Sequence, residues 1–141
     1  MQKSTNELFE IINKHKNLDQ LLDTLSPELL NLSLCKYLQQ LLQKKHLKKS
    51  DVITHSNLDS SYAYQIFNGT KKEPSRDKLL ALSIGMSLSP AETQTLLKIA
   101  QLPLLYPRFQ RDLVIIFALK EHYSIVMLNE ILDDLNLPIL K

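Results

Sequence analysis

The chain has 141 residues, with 17 Lys and Arg, 15 Asp and Glu, and a single cysteine, Cys35. This length excludes most multi-domain enzymes and fits either one compact domain or a small domain with attached helical arms. With 44% hydrophobic and 23% charged residues, the chain can bury a core and is neither disordered nor fibrous in composition. A lone cysteine excludes an internal disulfide and a cysteine-based zinc site, so we expect a cytoplasmic protein.

Leucine dominates the composition, with 30 residues against three valines and two glycines, which favours helices over strands. At the start of the chain, apolar residues at helical spacing predict two short amphipathic helices before Pro27, which suits the first turn of a new helix. No stretch is of the signal-peptide type, and no window reaches the roughly 18 apolar residues of a membrane span. We interpret residues 1–30 as an amino-terminal helical arm and expect no membrane contact.

Positive charge is concentrated in the middle of the chain. Residues 31–78 carry nine basic and four acidic side chains, whereas the segments on either side carry a small negative excess. A local basic stretch is typical of a segment that faces a polyanion, but lysine runs are also a common form of solvated surface. Charge alone leaves both interpretations open.

The same part of the chain predicts a compact series of helices. One ends near Lys45, a second covers KKSDVITHS, and a third covers residues 60–68, capped by Asp59 or Ser60 and ended by Gly69. Two short helices joined by a tight turn are the sequence form of a helix-turn-helix. A helix opened by Pro74-Ser75 and closed by Gly85 follows, and then a capping box, SPAE, opens another. We assign residues 31–102 to this domain.

Two further helices are predicted after Pro103. The first runs from Pro107 to about Glu121, the second from Ser124 to Leu135, and their expected inward residues are Leu113, Ile116, Phe117, Leu128, Ile131, Leu132 and Leu135. We interpret residues 103–141 as a carboxy-terminal helical hairpin. The stretch LVIIFAL is too apolar to be solvated on every side, so the arm, the domain, another copy of the chain or a second protein must cover it. No internal repeat is evident.

Apolar and turn-forming residues recur in a characteristic order over residues 38–97. They are Leu47, Val52, Ile53, Leu58, Ala63, Ile66, Asn68, Gly69, Pro74, Leu79, Leu82 and Leu88. This segment, about 60 of the 141 residues, resembles the five-helix DNA-binding domain of the Xre, Cro and phage-repressor family. Where that family often has an Arg–Glu pair, this sequence has Leu42 and Phe67, so we expect a hydrophobic contact in place of a buried ion pair.

The resemblance implies that the helix over residues 60–68 enters the major groove of double-stranded DNA. Its outward side chains include no carboxylate that would repel phosphate, and several can bond to base edges. We expect base contacts from Ser60, Ser61, Tyr64 and Gln65. We expect phosphate contacts from Lys48, Lys49, Asn68, Thr70, Lys71, Lys72 and Arg76.

The sequence therefore predicts an all-α protein, a five-helix repressor-like helix-turn-helix domain with additional amino- and carboxy-terminal helices. Its predicted function is that of a sequence-specific regulator of transcription that binds double-stranded DNA. Because repressors of this family usually act on two-fold operators, the resemblance also implies a homodimer. The alternative is a protein-binding adaptor or antitoxin-like partner with the same scaffold, and the arms are a possible surface for a second protein.

Catalytic motifs are missing from the sequence. It has no glycine-rich phosphate loop, no GxSxG motif and no Cys–His constellation, and its four histidines lack the spacing of metal ligands. We therefore expect no enzyme activity, no metal and no cofactor.

Overall fold

The computed structural model describes residues 3–29 and 33–141, and within them it contains nine α-helices, one short 3-10 helix and no strand. The all-α prediction is confirmed. Contacts between residues divide the described chain into an amino-terminal unit, residues 3–29, and a larger unit, residues 33–141. None of the described helices is both long and apolar enough to cross a membrane.

The amino-terminal unit consists of α1 (Thr5–Lys14), α2 (Leu18–Leu25) and the 3-10 helix (Ser26–Glu28). Side-chain caps start both α-helices: Ser4 accepts from the Glu7 N–H, and Asn17 accepts from the Gln20 N–H. Both helices keep large apolar side chains exposed, namely Phe9, Ile12, Leu18 and Leu22. Their amphipathic stripes are therefore only partly buried.

The larger unit contains α3 (Leu34–Lys44), α4 (Lys49–Ser56), α5 (Ser60–Asn68), α6 (Arg76–Gly85), α7 (Pro90–Ile99), α8 (Gln110–Lys120) and α9 (Ile125–Asp134). Helices α3 to α7 enclose one hydrophobic cluster, in which Leu38, Phe67 and Leu82 have no exposed surface. Leu42 and Phe67, between which a hydrophobic contact was expected, both belong to this cluster. The cluster therefore contains no charge at those positions.

Helices α8 and α9 pack against α6 and α7 and enclose a second cluster. They belong to the same compact unit as the helix-turn-helix segment. The inward face predicted for these helices is wrong in part, because Leu113, Phe117 and Leu135 are 51%, 49% and 42% exposed. Helix α8 begins at Gln110, and the face that turns inward contains Asp112, which bonds to Arg76, together with Ile115 and Leu119.

Glycine is required at Gly85 by the close approach of α4 to α6. A Cβ atom at this position would lie 2.7 Å from the Val52 carbonyl oxygen and would also collide with the Ser56 hydroxyl. Gly85 is the last residue of α6, which continues to a cap at Met86. The glycine predicted to close this helix therefore has a second role, because it allows α4 to pack closely against α6.

The α6–α7 hairpin and the α8–α9 hairpin, called here the first and second hairpins, make the same contacts 35 positions apart. The Nε of Arg76 and the Nε of Arg111 each donate to the carbonyl of the proline 27 residues later, both at 2.9 Å. Gln94 and Asn129 each bond through their side-chain amide to both the N–H and the carbonyl of the leucine 11 residues later. The expectation of no internal repeat is wrong.

The two hairpins hold each other through reciprocal ion pairs. Arg76 forms two hydrogen bonds to Asp112, at 3.1 and 2.9 Å, and Arg111 forms two to Asp77, at 3.0 and 2.9 Å. Between them lie corresponding residues of the second cluster: Leu80 and Ile115, Ile84 and Leu119, Leu97 and Leu132. This reciprocity is the pattern of an isologous interface, here within one chain.

Candidate nucleic-acid interface

The turn between α4 and α5 is built from local signals. Asn57 has φ of 55°, in the left-handed region that asparagine enters more readily than most residues. The Asp59 carboxylate accepts a 3.0 Å hydrogen bond from the Tyr62 N–H and caps α5. Gly69, with φ of 87°, ends the helix. The predicted turn, cap and stop are all confirmed.

Helix α5 has one fully buried face and one exposed face. Ala63, Ile66 and Phe67 have no exposed surface. The four side chains expected to contact bases are all exposed, and their i, i+3 and i+4 spacing places them side by side: Ser60, Ser61, Tyr64 and Gln65. The structure thus brings these four residues together on one polar surface.

Ammonium groups flank this surface. Lys48, Lys71 and Lys72 are exposed, while Lys49 is half-buried, with its Nζ 5.7 Å from the centre of the Phe67 ring. The Nζ of Lys71 lies 5.5 Å from the centre of the Tyr62 ring, in the first turn of α5. Ammonium groups therefore lie near side chains at both ends of α5, Lys71 beside Tyr62 and Lys49 beside Phe67.

Lys78 joins these cations, although it was not among the expected phosphate contacts. Its Nζ lies 5.4 Å from the centre of the Tyr62 ring, so two ammonium groups lie over one aromatic side chain. Lys78 is the last basic residue of the basic segment, residues 31–78. Its charge is one of the nine positive charges of that segment, but the position of its ammonium group over Tyr62 of α5 depends on the tertiary fold.

The segment after α5 is fixed by hydrogen bonds of its own. The Asn68 side-chain oxygen accepts from the Thr70 N–H at 2.9 Å, and the Lys71 N–H donates to the Gln65 carbonyl at 3.0 Å. The amide nitrogen of Asn68 and the hydroxyl of Thr70 lie on exposed residues. Both groups can donate to a phosphate without rearrangement of the backbone.

A pocket of about 320 Å³ lies between this segment and the start of α3, lined in part by Cys35, Gly69, Lys71 and Lys72. Ser33 caps α3 through the Lys36 N–H, and the amino end of an α-helix carries partial positive charge. Two lysines and a helix amino end together favour an anion. Most of the surface that lines the pocket is apolar, so the two lysines, and not the pocket itself, are the groups that can bind a phosphate.

Arg76 is held elsewhere, which corrects its prediction as a phosphate contact. Its guanidinium donates to both carboxylate oxygens of Asp112 and to the carbonyls of Pro103 and Leu104. Four hydrogen bonds to protein acceptors give this side chain a role in the hairpin interface. The guanidinium of Arg76 is therefore engaged within the protein and is not available to a phosphate.

Two other lysines of the basic segment are held by an acidic residue of α7. The Nζ of Lys45 lies 3.0 Å and that of Lys44 3.9 Å from Glu92 carboxylate oxygens. Burial on its own raises the pKa of Glu92, but hydrogen bonds from the Ser89 backbone and from Lys45 outweigh it and leave the pKa below its ordinary value. These lysines therefore neutralise Glu92 and tie α3 to α7.

No family model, curated protein or solved structure matches the chain. Within residues 3–29 and 33–141, no three His, Cys, Asp or Glu side chains are grouped so that they could hold a metal ion.

Proposed function

We propose that the protein is a sequence-specific regulator that binds double-stranded DNA by inserting α5 into the major groove. The observation that carries this proposal is the exposed row formed by Ser60, Ser61, Tyr64 and Gln65, on a helix whose other face is completely buried. Glutamine can pair with an adenine edge through two hydrogen bonds, serine can donate or accept, and tyrosine can contact a phosphate or a thymine methyl. The row thus has the chemistry of direct base readout.

The cations give the proposal its second part, contact with the DNA backbone. The proposed phosphate contacts are Lys48, Lys49, Asn68, Thr70, Lys71, Lys72 and Lys78. Lys78 is included because its ammonium group lies over the same Tyr62 ring as that of Lys71. Such contacts fix the register of a protein on the duplex and carry no sequence information themselves. Because one copy of α5 reads a single half-site, the proposal includes two copies on a two-fold site.

A salt series on random duplex DNA tests whether the surface binds DNA at all. Binding that releases counterions falls linearly on a log–log plot, with a slope of several units if several lysines contact phosphates. Lys72→Ala should flatten this slope by about one, since each phosphate contact contributes about that much. Lys98→Ala, an exposed lysine on α7, is the matched control and should leave the slope unchanged.

Selection of sites from a random oligonucleotide pool tests base readout. Gln65→Ala should weaken binding to the selected site by about 1 to 3 kcal/mol and relax the preference at one base pair. Gln110→Ala, an exposed glutamine at the start of α8, should select the same site as the unsubstituted chain. An unchanged site for Gln65→Ala would show that α5 is not the recognition helix, and absence of duplex binding would remove the proposal.

A further inference from the structure

The ring of Tyr62, the third residue of α5, lies under two ammonium groups that come from different parts of the chain. The Nζ of Lys71, in the segment after α5, is 5.5 Å from the ring centre, and the Nζ of Lys78, in the first turn of α6, is 5.4 Å from it. Both distances are within the roughly 6 Å range of a cation–π contact. One aromatic side chain thus contacts two cations.

The position of the ring is set by the protein and not by the lysines. Tyr62 is half-buried and packs against the cluster that α3 to α7 enclose, and its N–H donates to the Asp59 carboxylate at 3.0 Å. The Lys78 N–H donates to the Ser75 hydroxyl at 3.3 Å, which fixes the backbone of the first turn of α6. The groups that remain to be ordered are the flexible lysine side chains, and the ring lies where it can order them.

Neither cation is neutralised by a carboxylate of the chain. Within the part of the chain that the structure describes, Lys71 and Lys78 form no ion pair. Two carboxylates lie close to them in the sequence, but Asp77 accepts two hydrogen bonds from Arg111, and Glu73 is exposed. Like charges beside one ring repel each other, and an anion that contacts both relieves this repulsion.

The spacing of the two ammonium groups fits a DNA strand. Because both lie within 5.5 Å of the same ring centre, they are at most about 11 Å apart. Each strand of B-DNA carries one phosphate for about every 3.4 Å of the helix axis. The two groups can therefore contact the same phosphate or neighbouring phosphates of one strand.

The second hairpin has a cation over a ring in a different electrostatic setting. The Nζ of Lys120 lies 5.6 Å from the centre of the Phe117 ring, but it also lies 3.4 Å from a carboxylate oxygen of Glu121. That ammonium group already has a counter-ion. What distinguishes Tyr62 is therefore the presence of two cations without one.

From these contacts we propose that Tyr62 is a positioning residue for DNA binding, whose ring holds Lys71 and Lys78 ready for neighbouring phosphates of one strand. The inference rests on the proposed function. A lysine side chain has many rotamers, and the loss of that freedom opposes binding. A side chain that is already ordered loses less freedom when it contacts a phosphate. The ring thus raises affinity without a contact of its own to DNA.

A double-mutant cycle with random-sequence duplex DNA tests this role. Tyr62→Leu removes the ring and keeps an apolar side chain against the cluster, and it should weaken binding about fivefold. In a protein that also carries Lys71→Ala and Lys78→Ala, Tyr62→Leu should cause no further loss, because no cations remain to be positioned. A purely structural role of Tyr62 would give the same loss in both backgrounds.

Two control variants isolate the ring. Tyr62→Phe keeps the ring and removes the hydroxyl, so it should bind duplex DNA as the unsubstituted chain does. Phe117→Leu removes the ring beside Lys120 and should also leave binding unchanged. Circular dichroism of each variant checks that the fold is retained.

Nuclear magnetic resonance of the unsubstituted protein supplies a measurement that no substitution can disturb. Protons above the face of an aromatic ring resonate upfield of their ordinary position. The ε-methylene protons of Lys71 and Lys78 should therefore resonate upfield of those of Lys72, which is exposed and has no ring contact. Ordinary positions for both lysines would overturn the inference.

The outcomes of the binding experiment separate this inference from the proposed function. Equal losses for Tyr62→Leu in the two backgrounds would overturn the positioning role, and so would a loss for Tyr62→Phe as large as that for Tyr62→Leu. In both cases duplex binding is retained and the proposed function stands. Absence of duplex binding by the folded, unsubstituted chain would remove the proposed function and the role of Tyr62 with it.

Discussion

The two hairpins of the larger unit share their inner contacts and differ on their outer faces. Each has an arginine that donates to the carbonyl of a later proline, and each has an amide side chain that binds the backbone of a later leucine. On the outer face, the first hairpin supports α3 to α5, whereas the second has a half-exposed apolar groove, lined by Leu113, Val114, Phe117, Tyr123 and Ile131. The same framework thus supports three further helices, α3 to α5, in one place and has an open surface in the other.

Single residues account for this difference. Gly85 admits α4, and Lys120 stands in its place on the second hairpin. On the first hairpin, Glu92 pairs with Lys44 and Lys45 at the end of α3, whereas the corresponding residue of the second hairpin is Met127. The contacts on the inner side of each hairpin are therefore independent of the contacts that decide which helices cover its outer face. A substitution can disrupt either set without the other.

The largest expected effect comes from breaking the two reciprocal ion pairs one at a time. The side chain of Asp112 is 6% exposed and that of Asp77 is 38% exposed. Arg76→Ala leaves a buried carboxylate unpaired and should cost about 3 to 5 kcal/mol of unfolding free energy. Arg111→Ala leaves a partly solvated carboxylate and should cost about 1 kcal/mol. Urea unfolding measures both.

Arg76→Ala combined with Asp112→Asn is the control for this difference. The neutral amide removes the unpaired charge, so the double variant should recover part of the loss. Equal losses for Arg76→Ala and Arg111→Ala would show that burial does not distinguish the two ion pairs. Because Arg76 is proposed to have no phosphate contact, Arg76→Ala should also keep the salt slope of DNA binding where the protein remains folded.

The next effect concerns Gly85 and Lys120. Replacement of a helical glycine by alanine ordinarily stabilises a helix by up to about 1 kcal/mol. Gly85→Ala should instead destabilise the protein by about 1 to 3 kcal/mol, because its Cβ would press on the backbone of α4. Lys120→Ala should change stability by less than about 0.5 kcal/mol. A rise in melting temperature for Gly85→Ala would contradict the close approach of α4 to α6.

The sequence predicted α4, α5 and the turn between them well because their signals are local. The Asp59 carboxylate caps the start of α5, and Asn57 and Gly69 provide the left-handed backbone of the turn and of the helix end. Ala63 is fully buried on the inner face of the helix. The exposure of the four expected base contacts followed from the same periodicity. Local chemistry and helical spacing were sufficient there.

The second hairpin was predicted less well because its inner face depends on a distant partner. Helix α8 is apolar on more than one side, so periodicity favoured Leu113 and Phe117, whereas the ion pair with Arg76, 36 positions away, draws Asp112 inward. The same ion pair removed Arg76 from the expected DNA contacts. The repeat is weak in the sequence because its hydrogen bonds tolerate replacements such as Gln94 by Asn129, so few positions are identical.

The smallest expected effect is a pH dependence of stability that comes from Glu92. Met127, the corresponding residue of the second hairpin, has no charge and cannot contribute it. Because the pKa of Glu92 lies below its ordinary value of 4.5, its ion pair with Lys45 contributes stability above that value, and this contribution is lost as the pH falls through the lowered pKa. Glu92→Gln keeps the capping box, since glutamine also bonds to the helix N-cap, but removes the charge. At pH 7 the variant should be less stable by about 0.5 to 1 kcal/mol, and the difference should vanish in acid.

Urea midpoints between pH 7 and pH 3 measure this convergence. The control is Glu121→Gln, which removes an exposed carboxylate from the second hairpin. Parallel curves for the unsubstituted chain and Glu92→Gln would show that this carboxylate does not tie α3 to the first hairpin.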